Sequence, residues 1–306
     1  GVQTCALPIY FSGQTALNPF VDIADLLSKT IQCFSAIHPD FGTILKNMEN
    51  NRCFDLETRF GKAPEAFNYP LFESKLSFVF MSATGGMRDL ETLVHECGHA
   101  LHSILSSHFN WAYYKEIPAE IAELASMSVE LIAVENYHHF FACENEIIRA
   151  KLHLLEQIVE NLCWVAIIDK FQHWVYANPY HEERERMHIF KNIYTEFHGD
   201  AVDWSGYEDY LESLWQTQLH LFEAPFYYIE YGFAQLGALG IWMKYRQNPA
   251  STLDNFIAAL KLGYSKTIPQ VYETAGVKFS FSPTDVEKSI KFLHHEIEML
   301  QKQISK

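Results

Sequence analysis

The sequence is short of positive charge. Its 23 lysines and arginines face 38 aspartates and glutamates, a formal net charge of −15. No basic stripe is present to neutralise phosphates, so nucleic acid is not an expected partner. Cysteine offers no framework either. The six residues Cys5, Cys33, Cys53, Cys97, Cys143 and Cys163 are scattered, with no C-x-x-C pair. That spacing suits reduced thiols and a cytoplasmic location better than a disulfide scaffold. No apolar run approaches the roughly 18 residues of a membrane helix, so no membrane span is expected. No basic segment leads into a short apolar one, as a secretory signal requires. Internal repeats and low-complexity linkers are lacking. An initiator Met is lacking too, and residues 1–10 show no periodicity. They are expected to be a non-native or disordered lead, with one domain over 11–306.

What is present is apolar side chain. Hydrophobic residues make up 48% and aromatics 15% of 306 residues, enough for a large core. Asn18-Pro19 reads as a helix start, followed by an apolar face of Phe20, Ile23, Leu26, Leu27 and Ile31. Asp40 to Met48 reads as a second helix. Asn50 to Glu73 reads as irregular. Leu76 to Met81, L-S-F-V-F-M, is the best strand pattern in the chain. Helical patterns follow from Pro118, over Cys143–Tyr176, and at about 182–197, 206–222, 226–246, 249–262, 268–275 and 283–305. The expectation is a mainly α, multi-helix domain with one small β-sheet.

The chemistry gathers in Thr92 to Ser103, T-L-V-H-E-C-G-H-A-L-H-S. His95-Glu96-Cys97-Gly98-His99 is an H-E-x-x-H match. Residues four apart share a helix face, so two imidazoles there can hold one Zn²⁺. Glu96 sits beside the first ligand, placed as general base toward a water. Leu90, Leu93, Val94, Ala100, Leu101 and Ile104 recur at helical spacing and give the helix a packing face. Cys97 turns away from His95 and should pack. His102 lies three residues after His99, too near for the metzincin spacing, and reads as an orienting or core residue. A catalytic zinc needs a third protein ligand. Glu116, Glu120, Glu123 and Glu130 all stand close by, and spacing does not choose among them.

A resemblance chooses. Glu-Leu-Ala-Ser at Glu123 to Ser126 resembles the E-x-x-S segment of the thimet oligopeptidase and oligoendopeptidase F family of zinc metallopeptidases. F-D-L-E-T-R-F-G-K-A-P, F-V-F-M-S-A-T-G and T-L-V-H-E-C-G-H-A-L-H also look like the family, in its order. So does His220-Leu-Phe-Glu-Ala-Pro-Phe-Tyr-Tyr-Ile-Glu-Tyr231, similar to the family's His…Tyr-Tyr-x-x-Tyr region. The resemblance implies that Glu123 is the third ligand and that Glu130 orients a ligand. It implies that His220, Tyr228 and Tyr231 line the substrate and donate to the oxyanion; Tyr227 reads as core. It further implies short peptide substrates, one zinc per chain, and a missing N-terminal half that closes the other wall of a deep channel.

The expected mechanism is zinc-dependent hydrolysis, with the Leu76–Met81 strand and Gly85-Gly86 holding the substrate backbone. A zinc carboxypeptidase or dipeptidyl carboxypeptidase is the alternative. It would need a cation for the terminal carboxylate, and Arg59, Lys62 and Arg88 are candidates by position. A non-catalytic metal-binding fragment is the second alternative.

Overall fold

A computed structural model describes residues 15–199 and 201–304. The expected lead over 1–10 lies outside the described residues. The chain divides into two compact units: 15–155 with 233–304, and 156–232.

The larger unit opens with α1 (Ile23–Ile37) and α2 (Pro39–Asn50). The cap of α1 is Asp22, whose carboxylate accepts from the Asp25 N–H at 2.8 Å, and not Asn18. A carboxylate satisfies an orphan N–H and suits the positive end of the helix dipole. Leu26, Phe34, Phe41, Leu45 and Met48 are buried between the two helices and their surroundings.

The stretch read as irregular holds two strands, β1 (Phe54–Glu57) and β2 (Phe67–Leu71). With β3 (Leu76–Ala83) they form a sheet in the order β1-β3-β2, β1 parallel and β2 antiparallel to β3. The strand expected to hold the substrate backbone is therefore the central one, with both of its edges paired. β1 and β2 escaped notice because each is short and interrupted. β1 carries a register shift between Asp55 and Glu57, and β2 contains Pro70, which only an edge strand tolerates.

On β3, Ser77, Val79, Met81 and Ala83 are buried and alternate with half-exposed residues. Against the sheet packs α3 (Met87–Leu105), and beside α3 lies α4 (Ala119–Ala133). Then α5 (Glu144–Ala177) begins. The later part of α9 (Ile229–Gln247), with α10 (Pro249–Leu260), α11 (Ile268–Thr274) and α12 (Pro283–Ile304), completes this unit.

The smaller unit has the later part of α5, then α6 (Glu183–His198), α7 (Glu208–Ser213), α8 (His220–Glu223) and the first turn of α9. Ile167, Ile168 and Phe171 of α5 pack on Phe190, Ile193 and Tyr194 of α6, with Leu211 and Trp215. The single helix expected over 206–222 is broken into pieces. The break falls at Gln218, whose backbone is extended at φ −90°, ψ 93°. There its buried amide finds side-chain partners, described below, that a continued helix would not aim it toward.

Candidate active site

α3 is anchored at its start by one buried carboxylate. Asp89 Oδ2 accepts the backbone N–H groups of Thr84, Gly85 and Gly86 at 2.8, 2.6 and 2.9 Å. Gly85 holds the turn at φ +102°, in the left-handed region glycine tolerates. The Gly85 and Gly86 N–H groups are thus taken by Asp89 and are not open donors to a substrate backbone.

The anchored helix sets His95 and His99 one turn apart. Their Nε2 atoms lie 3.1 Å from each other. Glu123 Oε2 reaches in from α4, 3.3 Å from His95 Nε2 and 3.7 Å from His99 Nε2. A tetrahedral ion with bonds of about 2.0–2.1 Å has ligand–ligand edges of about 3.3–3.4 Å. The three donor atoms therefore fit one face of a zinc coordination tetrahedron. Among the described residues, His95, His99 and Glu123 are the one group with this capacity.

Gly98 lets α4 come near enough. A Cβ built on it would stand 2.6 Å from the Ser126 Cα. With no side chain between the helices, Glu123 reaches across. Ser126 then steadies it, donating from Oγ to Glu123 Oε2 at 3.0 Å. The ring of His95 is held from its far side, Nδ1 lying 2.5 Å from Glu130 Oε1. His99 is faced by the Ala122 backbone carbonyl. Such outer partners fix the tautomer and aim of a ligating imidazole.

The electrostatics suit a cation. Burial works against charge on His95, but the Glu123 and Glu130 carboxylates overcome it and raise its pKa well above the usual value. Burial lowers His99 to about 4 against the pull of Glu123. Glu123 would be raised by its burial, yet His99 and His95 hold it at about 2. A bound divalent ion would take the place of the proton on His95.

Glu96 is buried beside this group. Burial lifts its carboxyl to about 7; His95 opposes the rise, Glu123 and Glu130 add to it, and the Asn68 backbone N–H favours the anion. That N–H is available because of sheet geometry. The Val79 N–H bonds to the Cys53 carbonyl on the β1 side. Asn68 is opposite Val79, so the main-chain groups of Asn68 point away from β3. The Asn68 side chain ties β2 down, bonding Ser77 at 2.7 and 3.0 Å and accepting from Ser103 of α3 at 3.4 Å.

Cys97 is buried on the other side of the helix, as expected. His102 is buried with neither ring nitrogen partnered among the described residues, a neutral core imidazole that burial lowers to about 3. Two of the three cations proposed for carboxylate capture are engaged elsewhere. Arg59 grips Asp55 through two bonds of 2.6 and 2.7 Å. Lys62 is buried against Asp55 Oδ1 at 3.0 Å and the carbonyls of Asp55 and Glu57.

His220, Tyr228 and Tyr231 gather in the smaller unit. The His220 ring centroid lies 5.1 Å from Tyr228 and 5.6 Å from Tyr231. Tyr227, read as core, joins them, stacked on His220 at 5.7 Å. Tyr231 Oη stands 3.4 Å from His220 Nε2. Burial raises the Tyr228 hydroxyl to about 12, so it stays protonated and able to donate.

Comparison with known proteins decides the family. The model for peptidase family M3 matches residues 28–291. The chain belongs to peptidase family M3. It is 24% identical over 296 residues to the oligoendopeptidase F homolog of Borreliella burgdorferi, covering 93% of this chain and 48% of that protein. It is 23% identical over 269 residues to the oligopeptidase PepF of Bacillus subtilis, covering 87% of this chain and 40% of that one. Among solved structures, PZ peptidase A with an inhibitor matches with a TM-score of 0.83 and 25% identity, covering 91% of this chain and 49% of that chain. The M3 chain thus spans about half the length of the relatives it matches.

Sequence reasoning missed three features of this M3 site. Asn68 lay in a stretch read as loop, and nothing in it signals a strand except the alternation in F-N-Y-P-L. Ser126 stands in E-L-A-S, where the sequence alone gives it no role. Gly98 was visible inside H-E-C-G-H, and a Gly at a helix interior is itself a signal of close approach.

Proposed function

We propose that this chain carries the zinc-binding catalytic part of a metallopeptidase that hydrolyses peptide bonds in short oligopeptides. The observation that carries the reading is the convergence of His95, His99 and Glu123 donor atoms within 4.8 Å of one another, with Glu96 alongside. His95, His99 and Glu123 would hold the metal. When bound, zinc supplies Lewis acidity, acidifying water and polarising the scissile carbonyl.

Glu96 takes the proton of the attacking water and delivers it to the leaving amine. A carboxyl lifted toward 7 is suited to both halves of that transfer. Glu130 holds the His95 ring in place. Tyr231, with His220 and Tyr228, donates hydrogen bonds to the developing oxyanion; one such donor is worth about 2.7–4 kcal/mol of barrier. The substrate backbone lies extended along the outer edge of β2. There the Asn68 and Pro70 carbonyls accept its N–H groups, a β-augmentation mode. Proline leaves that edge with acceptors more than donors. A second half of the size its relatives carry is the expected partner, closing a channel that excludes folded proteins. The scattered thiols keep the cytoplasm as the proposed location.

The test is cleavage of a quenched peptide before and after a chelator, and after zinc is restored. Loss and recovery of cleavage support the reading, as does loss in Glu96→Gln. Chelator-insensitive cleavage rejects it. Mapping the products of one defined peptide separates endopeptidase from carboxypeptidase action. One equivalent of zinc with no turnover would instead mark a metal-holding half that needs its partner.

A further inference from the structure

A chain of three side chains inside the smaller unit fixes the protonation of His220. It starts at Trp164. An indole N–H only donates, and Trp164 Nε1 lies 2.9 Å from Gln218 Oε1. That bond settles which end of the Gln218 amide is oxygen. The amide nitrogen, which only donates, is then the group lying 2.7 Å from His220 Nδ1. Nδ1 must accept, so it carries no proton. A neutral imidazole with a bare Nδ1 carries its proton on Nε2. At 3.4 Å, Nε2–H points to Tyr231 Oη. Gln218 is buried, so water does not compete for the amide.

We propose that Gln218, itself oriented by Trp164, is a positioning residue that holds His220 as the neutral, Nε2-protonated imidazole. His220 is then a fixed hydrogen-bond donor rather than a proton shuttle. Protonating Nδ1 would set its N–H against the amide N–H of Gln218, so the imidazolium is disfavoured as well. The catalytic meaning of this device rests on the peptidase reading above; the protonation state does not.

The test is a long-range proton–nitrogen correlation spectrum of the histidine rings in the ¹⁵N-labelled chain near neutral pH. The chain has 15 histidines, and the His220 signals are those lost in His220→Asn. The expected pattern is a protonated Nε2 and a bare Nδ1. In Gln218→Glu, a carboxylate faces Nδ1 and the pattern reverses or becomes that of an imidazolium. In Trp164→Phe, the amide loses its lock and the two tautomers mix. A wild-type His220 protonated on Nδ1 overturns the proposal, as does an unchanged pattern in Gln218→Glu. Should Gln218→Glu fail to fold, Trp164→Phe decides: a single unchanged Nε2–H pattern there overturns the role of the tryptophan lock. The spectrum needs neither metal nor substrate, so a failed hydrolysis assay leaves this result standing, and the reverse holds too.

Discussion

Glu130 Oε1 lies 2.5 Å from His95 Nδ1, on the side of the ring away from His99 and Glu123. It fixes which imidazole nitrogen faces the candidate metal site and strengthens that nitrogen as a donor. Glu130→Gln keeps the shape but replaces a carboxylate with an amide that can turn its NH₂ toward the ring. Zinc affinity should fall about 10–100-fold, the usual cost of losing such a partner. Competition against a chromophoric chelator measures it. Unchanged affinity would mean that Glu130 does not orient the ring.

Gly98 gives a prediction whose sign is unusual. Gly to Ala inside a helix normally stabilises by about 0.5–1 kcal/mol. Here the added methyl would stand 2.6 Å from the Ser126 Cα, a backbone atom that cannot swing aside. Gly98→Ala should therefore destabilise by about 1–3 kcal/mol, as overpacking does. It should also weaken zinc binding, because moving α4 carries Glu123 with it. Thermal unfolding and the chelator competition read the two effects. A more stable variant with full zinc affinity would contradict the close approach.

Glu91, one turn before His95, is half-buried; its Oε1 lies 3.7 Å from His153 Nε2 and has no hydrogen bond among the described residues. Burial raises its carboxyl from 4.5 to about 8, the Glu130 charge adding to the rise and Arg88 opposing it. In the unfolded chain the group ionises near 4.5; in the fold it keeps its proton to about 8. Between those values the unfolded state binds fewer protons. Stability then falls with rising pH, by at most about 1.4 kcal/mol per unit. Below 4.5 the group contributes nothing, and above 8 the full penalty persists. Glu91→Gln removes this dependence, so its stability advantage should grow as pH rises from about 5 to 8. Denaturant midpoints of both proteins across that range are the check. A gap that stays constant with pH would contradict the assignment.

The helix α3 was legible because its information is local. H-E-x-x-H and its apolar spacing act within a few turns, and α3 formed where they pointed. Glu123 was not legible from spacing, since four glutamates were equivalent until E-L-A-S was matched to a family pattern. What separates them is tertiary: Gly98 sets the depth at which α4 packs. The sheet was half legible. β3 is a long run of β-formers, whereas β2 takes its hydrogen bonds from β3 and packs beside α3, contacts no window of sequence displays. For the same reason, the engagement of the Gly85 and Gly86 N–H groups was not legible: the carboxylate that accepts them lies in the helix that follows. At 206–222 the helical period was present, but the partners of Gln218 on α5 and α8 outweighed it.

Three side chains from α3 and α4 are placed to close on one divalent ion. Cobalt(II) titration of the metal-free chain, followed by its visible spectrum, tests this most directly. The predicted result is one equivalent bound with the intense bands of four-coordinate cobalt. That signal should be lost in Glu123→Ala and retained in Glu96→Gln. Failure to bind, or a spectrum unchanged by Glu123→Ala, would contradict the proposed centre.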